Sequence, residues 1–166
     1  MKLSPYFSTQ RMLKEYYDLS YNPTASRSQI LEQDNFAKLK ELTDWKRKVS
    51  NSFSTVQITR LNVDGITSDL MPAGGTVSVS MNVNPGRLDK NELLPEFVLL
   101  KRADNNKGDI ITSKPFEFKQ LLDNGELQYE TSFDIAQSGN YSYAVRIMPH
   151  SDLLANAQET GLICWG

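Results

Sequence analysis

The residues with chemical potential in this chain are few and scattered. One histidine, His150, follows Pro149, and one cysteine, Cys164, sits between Ile163 and Trp165. A single imidazole with no second histidine or cysteine beside it cannot complete a zinc site, so His150 reads as a loop residue. Cys164 lies in an apolar run and reads as a small buried hydrophobe rather than a nucleophile. A lone cysteine makes no internal disulfide, and a reducing, cytoplasmic compartment is the default expectation. Gly74-Gly75-Thr76 has no helix after it, so it is a hairpin turn and not a phosphate cradle. Asp64, Asp69, Asp89, Asp104, Asp109, Asp123 and Asp134 fall mostly at turns, where aspartate bonds its own backbone. Their spacing supports neither a calcium site nor a catalytic carboxylate pair. Trp45, Trp165, Tyr129, Tyr141 and Tyr143 could stack on sugar rings, but alternating tyrosines in a strand more often fill a core. No catalytic, cofactor-binding or metal-ligating set is expected in this chain, and no sugar-contact residue is singled out.

The elements that would carry these residues are mostly strands. Tyr141, Tyr143, Val145 and Ile147 alternate with Ser142, Ala144, Arg146 and Met148, the period of a half-buried strand. Leu162-Ile-Cys-Trp165 forms a final short strand after an irregular loop over 150–160. Upstream, Val77, Val79, Met81 and Val83 mark the cleanest alternation in the chain. Phe53, Val56, Ile58, Leu61 and Val63 suggest a first strand. Phe97 and Leu99 mark another, Ile110-Ile111 a short one, and Phe116 to Leu122 the next, with a helical turn expected within 88–93. Asp123-Asn124-Gly125 is a favoured hairpin sequence. Leu127, Tyr129, Thr131 and Phe133 follow it. Seven to eight short strands at about ten-residue spacing predict a mainly β fold, an immunoglobulin-like antiparallel β-sandwich over 51–166.

A helical leader over 1–50 precedes it. Ser8 or Thr9 caps a helix over about 7–21, with Met12, Leu13, Tyr16, Tyr17 and Leu19 on its apolar side. Asn22-Pro23 is expected to end it, and 24–29 to be a polar connector. A second helix over about 29–49 carries Phe36, Leu39, Leu42, Trp45 and Val49 as one apolar stripe. Lys46-Arg47-Lys48 is expected to complement the dipole at its C-terminus. An isolated helix of about twelve residues is marginal in water, so helix 7–21 needs a partner surface. The chain has 166 residues, 39% hydrophobic and 23% charged, with a formal net charge of −2. That balance carries no footprint for nucleic acid or an anionic membrane. Phe97-Val-Leu-Leu100 and similar runs are too short to span a bilayer.

Two stretches resemble a known family. Phe7-Ser-Thr-Gln-Arg-Met-Leu-Lys-Glu-Tyr16 resembles the late helix of α-glucan phosphorylases, which starts Phe/Tyr-x-Ser/Thr-x-x-Arg and ends Glu-Tyr. Tyr141-x-Tyr143-x-Val145-Arg146-Ile147-x-Pro149, then Asp152-Leu153, Glu159-x-Gly161-Leu162 and Trp165, is similar to the extreme C-terminus of the bacterial branch that carries an extra β domain. Leu39-x-x-Leu42-x-x-Trp45-Lys46 fits the linker before that domain. The sequence departs from the pattern at Ser151 and at Ala157-Gln158, and over 64–138 it matches in pattern and not in motif. The resemblance implies a non-catalytic C-terminal accessory domain whose parent transfers glucosyl units between α-1,4-glucan and phosphate. The parent would use pyridoxal phosphate bound to a lysine that no residue here matches. It also implies a catalytic-domain partner for Met12, Leu13, Tyr16 and Tyr17, and self-association of the isolated chain through that patch. The competing readings are a glycogen- or starch-binding module, which calls for exposed coplanar aromatics, and an unrelated protein-interaction sandwich.

Overall fold

The computed structural model describes residues 14, 22–65, 70–71, 73–102, 108–136 and 138–166. The expected helix over 7–21, with Met12, Leu13, Tyr16 and Tyr17, lies outside the described residues apart from Lys14, which is helical. The chain forms two compact units, 1–45 and 46–166.

Helix α1 (Asn22–Ser52) is longer than its apolar stripe indicates. The segment 24–29, expected as a connector, is helical. Asn22-Pro23 opens a helix, where a proline in the first turn lacks only an N–H that would have no intrahelical partner; its expected role in ending the helix over 7–21 falls on residues outside the described ones. The expected helix over 29–49 is present within α1, which extends it to Asn22 on one side and Ser52 on the other. Asp34, Asn35 and Phe36 have positive φ of 52°, 56° and 62°. Asp and Asn tolerate this left-handed region, and Phe36 does so at a steric cost. In the stripe, Leu42 and Val49 are buried, while Phe36 and Leu39 are exposed.

The second unit is an antiparallel β-sandwich. Its strands are β1 (Gln57–Asp64), β2 (Leu70–Met71), β3 (Thr76–Asn84), β4 (Leu93–Arg102), β5 (Gly108–Pro115), β6 (Glu117–Leu121), β7 (Leu127–Asp134), β8 (Gly139–Pro149) and β9 (Cys164–Trp165). One sheet runs β1-β3-β7-β6 and the other β2-β8-β4-β5, with β9 also paired to β8. The alternation in β3 is realised in full: Val77, Val79, Met81 and Val83 are all buried, and the residues between them face outward. Phe53, expected in the first strand, instead sits in a 3₁₀ turn (Phe53–Thr55) and is buried there.

The core lies between the sheets. Leu127 and Tyr129 of β7 join the β3 residues from one side. Leu93, Phe97 and Leu99 of β4 and Tyr141, Val145 and Ile147 of β8 come from the other. Phe97 is the hub, with ring centroids 4.9 Å from Phe133 across the sandwich and 5.6 Å from Tyr143, on which it stacks. The chain crosses from one sheet to the other at Phe116, whose N–H donates to the Pro95 carbonyl at 2.9 Å. Turns close tightly where glycine allows it. Gly86 has φ 61°, and a Cβ there would come within 2.0 Å of Thr55 Oγ1, so no other residue fits this turn without displacing Thr55.

The outermost strands share one feature. Register shifts leave one extra residue in β1 at Thr59, in β5 at Ile111 and in β6 at Lys119. Each is a β-bulge on a sheet margin, which bends the strand and breaks the row of free backbone groups. The remaining margin, beside β8, is occupied by β2 and β9, each two residues long.

The last turns of α1 belong to this unit. Val49 is fully buried. Lys46 pairs with Glu159 and Lys48 with Glu92, both at 2.7 Å. The basic cluster therefore does not sit in the final turn to offset the helix dipole, because α1 runs on to Ser52. Two of its lysines instead reach carboxylates of the sandwich.

Candidate functional site

The outer face of the β1-β3-β7-β6 sheet holds a polar groove of about 450 Å³. Strand register builds it in two rows. Asp64, Ser78 and Ser132 stand side by side across β1, β3 and β7. Asn62, Ser80, Glu130 and Glu117 form the next row across all four strands. Period two sends these side chains away from the core and the valines between them into it. Serines keep the floor low, and Asp64, Glu117, Glu130 and Lys114 rise around it. Lys114 Nζ donates to the Ser132 carbonyl oxygen. Lys119 Nζ lies 3.0 Å from Glu130 Oε2. Asp64 accepts a long bond of 3.5 Å from Asn62. Glu117 and Glu130 are directly opposed, an arrangement that costs stability unless a cation stands near; Lys119 meets that need at Glu130.

The groove can accept hydrogen bonds from hydroxyl or amino groups, and its three carboxylates, set against Lys114 and the Lys119 that pairs with Glu130, leave a net negative charge that disfavours phosphate. Among the described residues no group of three His, Cys, Asp or Glu side chains could hold a metal ion.

Among the described residues, those considered for chemistry do not converge; Asp69 and Asp104 lie outside the described residues. His150 stands 3.6 Å from Asp152 at the start of the loop before β9. Cys164 donates weakly from Sγ to the Val56 carbonyl at 3.5 Å. Asp89 caps the 3₁₀ turn Lys90–Glu92 through a reciprocal capping box, and Asp134 accepts from Thr76 at 2.7 Å. Of the aromatics, Tyr129 and Tyr141 are buried. Tyr143, placed on the buried side of its strand by sequence, is 40% exposed, yet its ring lies on Phe97. Trp165 is 58% exposed on the outer face of the other sheet, in register with Arg146. Every ring pair among the described residues includes a buried ring, so no coplanar pair of exposed aromatics is formed there. Phe118, at the margin, carries Lys90 Nζ 4.3 Å above its ring. Sequence reading missed the groove because Ser78 and Ser80 signal only an outward strand face. Their partners Asp64, Glu117 and Glu130 come from three other strands.

The fold and the groove together define a β-sandwich module with one open polar face, fed by a helix. Comparison with known proteins gives it a place: the chain belongs to the family described as the glycogen phosphorylase C-terminal domain, whose model matches residues 54–166. It is similar to the maltodextrin phosphorylase of Thermococcus litoralis, at 29% identity over 170 residues, covering 98% of this chain and 19% of that protein. It is also similar to the glycogen phosphorylases of Mycobacterium bovis and Mycobacterium tuberculosis, each at 24% identity over 164 residues, covering 97% of this chain and 18% of theirs. The chain thus spans less than a fifth of the length of these relatives.

Proposed function

We propose that this chain is a non-catalytic accessory domain of an α-glucan phosphorylase, and that the parent transfers glucosyl units between α-1,4-glucan and phosphate. The family match over the whole sandwich carries the reading. The helical leader docks on the catalytic part through Met12, Leu13, Tyr16 and Tyr17, in the cytoplasm. The bulged margins support docking through a face or the leader, since a bulged edge is a poor template for an added strand. The residues present do not fit pyridoxal phosphate. The one lysine in the groove, Lys114, is bound to a carbonyl and stands among three carboxylates that oppose a phosphate group. That cofactor belongs to the remainder of the parent.

A second reading, a glucan-binding module, is favoured by the hydroxyl and carboxylate rows of the groove and opposed by the lack of a paired aromatic platform among the described residues. One experiment addresses both. The purified chain is given glycogen, phosphate and pyridoxal phosphate, and glucose 1-phosphate is assayed; in parallel its migration is followed in gels containing glycogen or amylose. The accessory reading expects no product and unchanged migration. Product above background would overturn it, and saturable retardation would replace it with the glucan-binding reading.

A further inference from the structure

The described residues contain three loops in which an asparagine side chain caps its own turn in the same way. Asn84 Oδ1 accepts from Gly86 N–H at 3.0 Å, Asn124 Oδ1 from Glu126 N–H at 3.1 Å, and Asn156 Oδ1 from Gln158 N–H at 3.0 Å. The three turns differ at the residue in between, which is Pro85, Gly125 and Ala157.

We propose that Asn124 is a site of spontaneous deamidation, selected from these three turns by the residue that follows it. In this reaction the backbone nitrogen of the next residue loses its proton and attacks the asparagine Cγ. A C–N bond forms, the side-chain amide leaves as ammonia, and a five-membered imide results. Water then opens the imide at either carbonyl, giving aspartate or isoaspartate. No oxidant, metal or enzyme is needed.

The geometry assists at one atom. Negative charge develops on Asn124 Oδ1 during the attack, and the Glu126 N–H already points at that oxygen, the arrangement that stabilises an oxyanion. Gly125 adds no side chain to obstruct the attack. Its φ is 83°, and even the position a Cβ would take has no atom within 4 Å. Both Asn124 and Gly125 are exposed, so water reaches the imide. The Gly125 N–H donates to the Leu122 carbonyl at 2.9 Å, which slows loss of its proton and sets the pace. At Asn84 the following nitrogen belongs to proline and has no proton to lose, so the route is closed. At Asn156 the Ala157 methyl hinders it.

The product changes the hairpin. Either acid adds a negative charge between Asp123 and Glu126, and isoaspartate also lengthens the backbone by one carbon inside the turn that joins β6 to β7. The bonds Leu122 N–H to Glu126 O and Gly125 N–H to Leu122 O, at 2.8 and 2.9 Å, close that turn and would be the first to go.

The full chain is incubated folded in neutral buffer, and peptide mapping by mass spectrometry with an isoaspartate assay follows each asparagine over weeks. The expected order is Asn124 well ahead of Asn156, with Asn84 unchanged. Asn124→Gln should abolish the leading signal. Glu126→Pro, which removes the assisting N–H together with the carboxylate and stiffens the turn, should slow it on the order of tenfold, while Glu126→Ala, which keeps that N–H, should leave the rate near wild type. A folded chain in which Asn124 is no faster than Asn156 overturns the proposal, and an unchanged rate in E126P overturns the role given to Glu126.

Discussion

Arg146 and Glu96 face each other across β8 and β4, with a guanidinium nitrogen 2.7 Å and Nε 2.8 Å from the same carboxylate oxygen, Oε2. Both side chains are only 15% exposed although they lie on the outer face of their sheet. A largely desolvated pair of this kind stabilises little as a whole but is costly to break on one side. Glu96→Ala should therefore lose about 3 kcal/mol in urea unfolding, while the paired replacement Glu96→Leu with Arg146→Met should come close to wild type. Equal losses in the two variants would show that packing, not charge, decides this spot.

Tyr129 supplies a second test, because its hydroxyl is buried without a hydrogen-bond partner. Burial pushes its pKa from 10.0 up to about 12. The unfolded tyrosine therefore releases its proton first as pH rises, and between those values the unfolded state binds fewer protons than the native one. The stability this group contributes is complete below pH 10.0 and is lost as pH climbs toward about 12. Tyr129→Phe should be neutral or stabilising by up to about 1 kcal/mol at neutral pH, and its alkaline loss of stability should be smaller than that of wild type. Parallel alkaline melts of the two proteins would reveal a failure.

Phe97 is expected to be the most sensitive core position. It is 1% exposed and joins rings from both sheets. Phe97→Ala should cost about 3–5 kcal/mol. Phe118→Ala, at the exposed margin, should cost far less by the same denaturation measurement.

The bulge at Lys119 can be removed by deleting that residue. The register on its two sides would then match, leaving a straighter edge with Phe118 and Leu121 exposed. The deletion should self-associate with rising concentration in analytical ultracentrifugation, while wild type shows no such dependence through this edge. A deletion variant with unaltered sedimentation would mean that the bulge does not guard the edge.

How much of this could be read from the chain depends on how local the signal is. Val77 to Val83 and the turn at Asp123-Asn124-Gly125 were legible because alternation and turn chemistry involve adjacent residues. The connector expected over 24–29 is instead helical, because polar residues after a proline can just as well form the first turns of a helix, and only tertiary context decides. Met148 was placed on the polar side of β8 by its phase, yet it is fully buried, since a sheet's outer face can also be covered. The Glu96–Arg146 pair and the opposed Glu117 and Glu130 depend on register between distant strands. Nothing local in the sequence sets that register, and a bulge such as Thr59 moves it by one.

The interruptions at Thr59, Ile111 and Lys119, with the brief β2 and β9, also make this module a finite object. It behaves as a tile with no side on which the pattern can be continued. Many copies of it brought close together could then stay separate. Any association among them would be left to surfaces other than sheet edges.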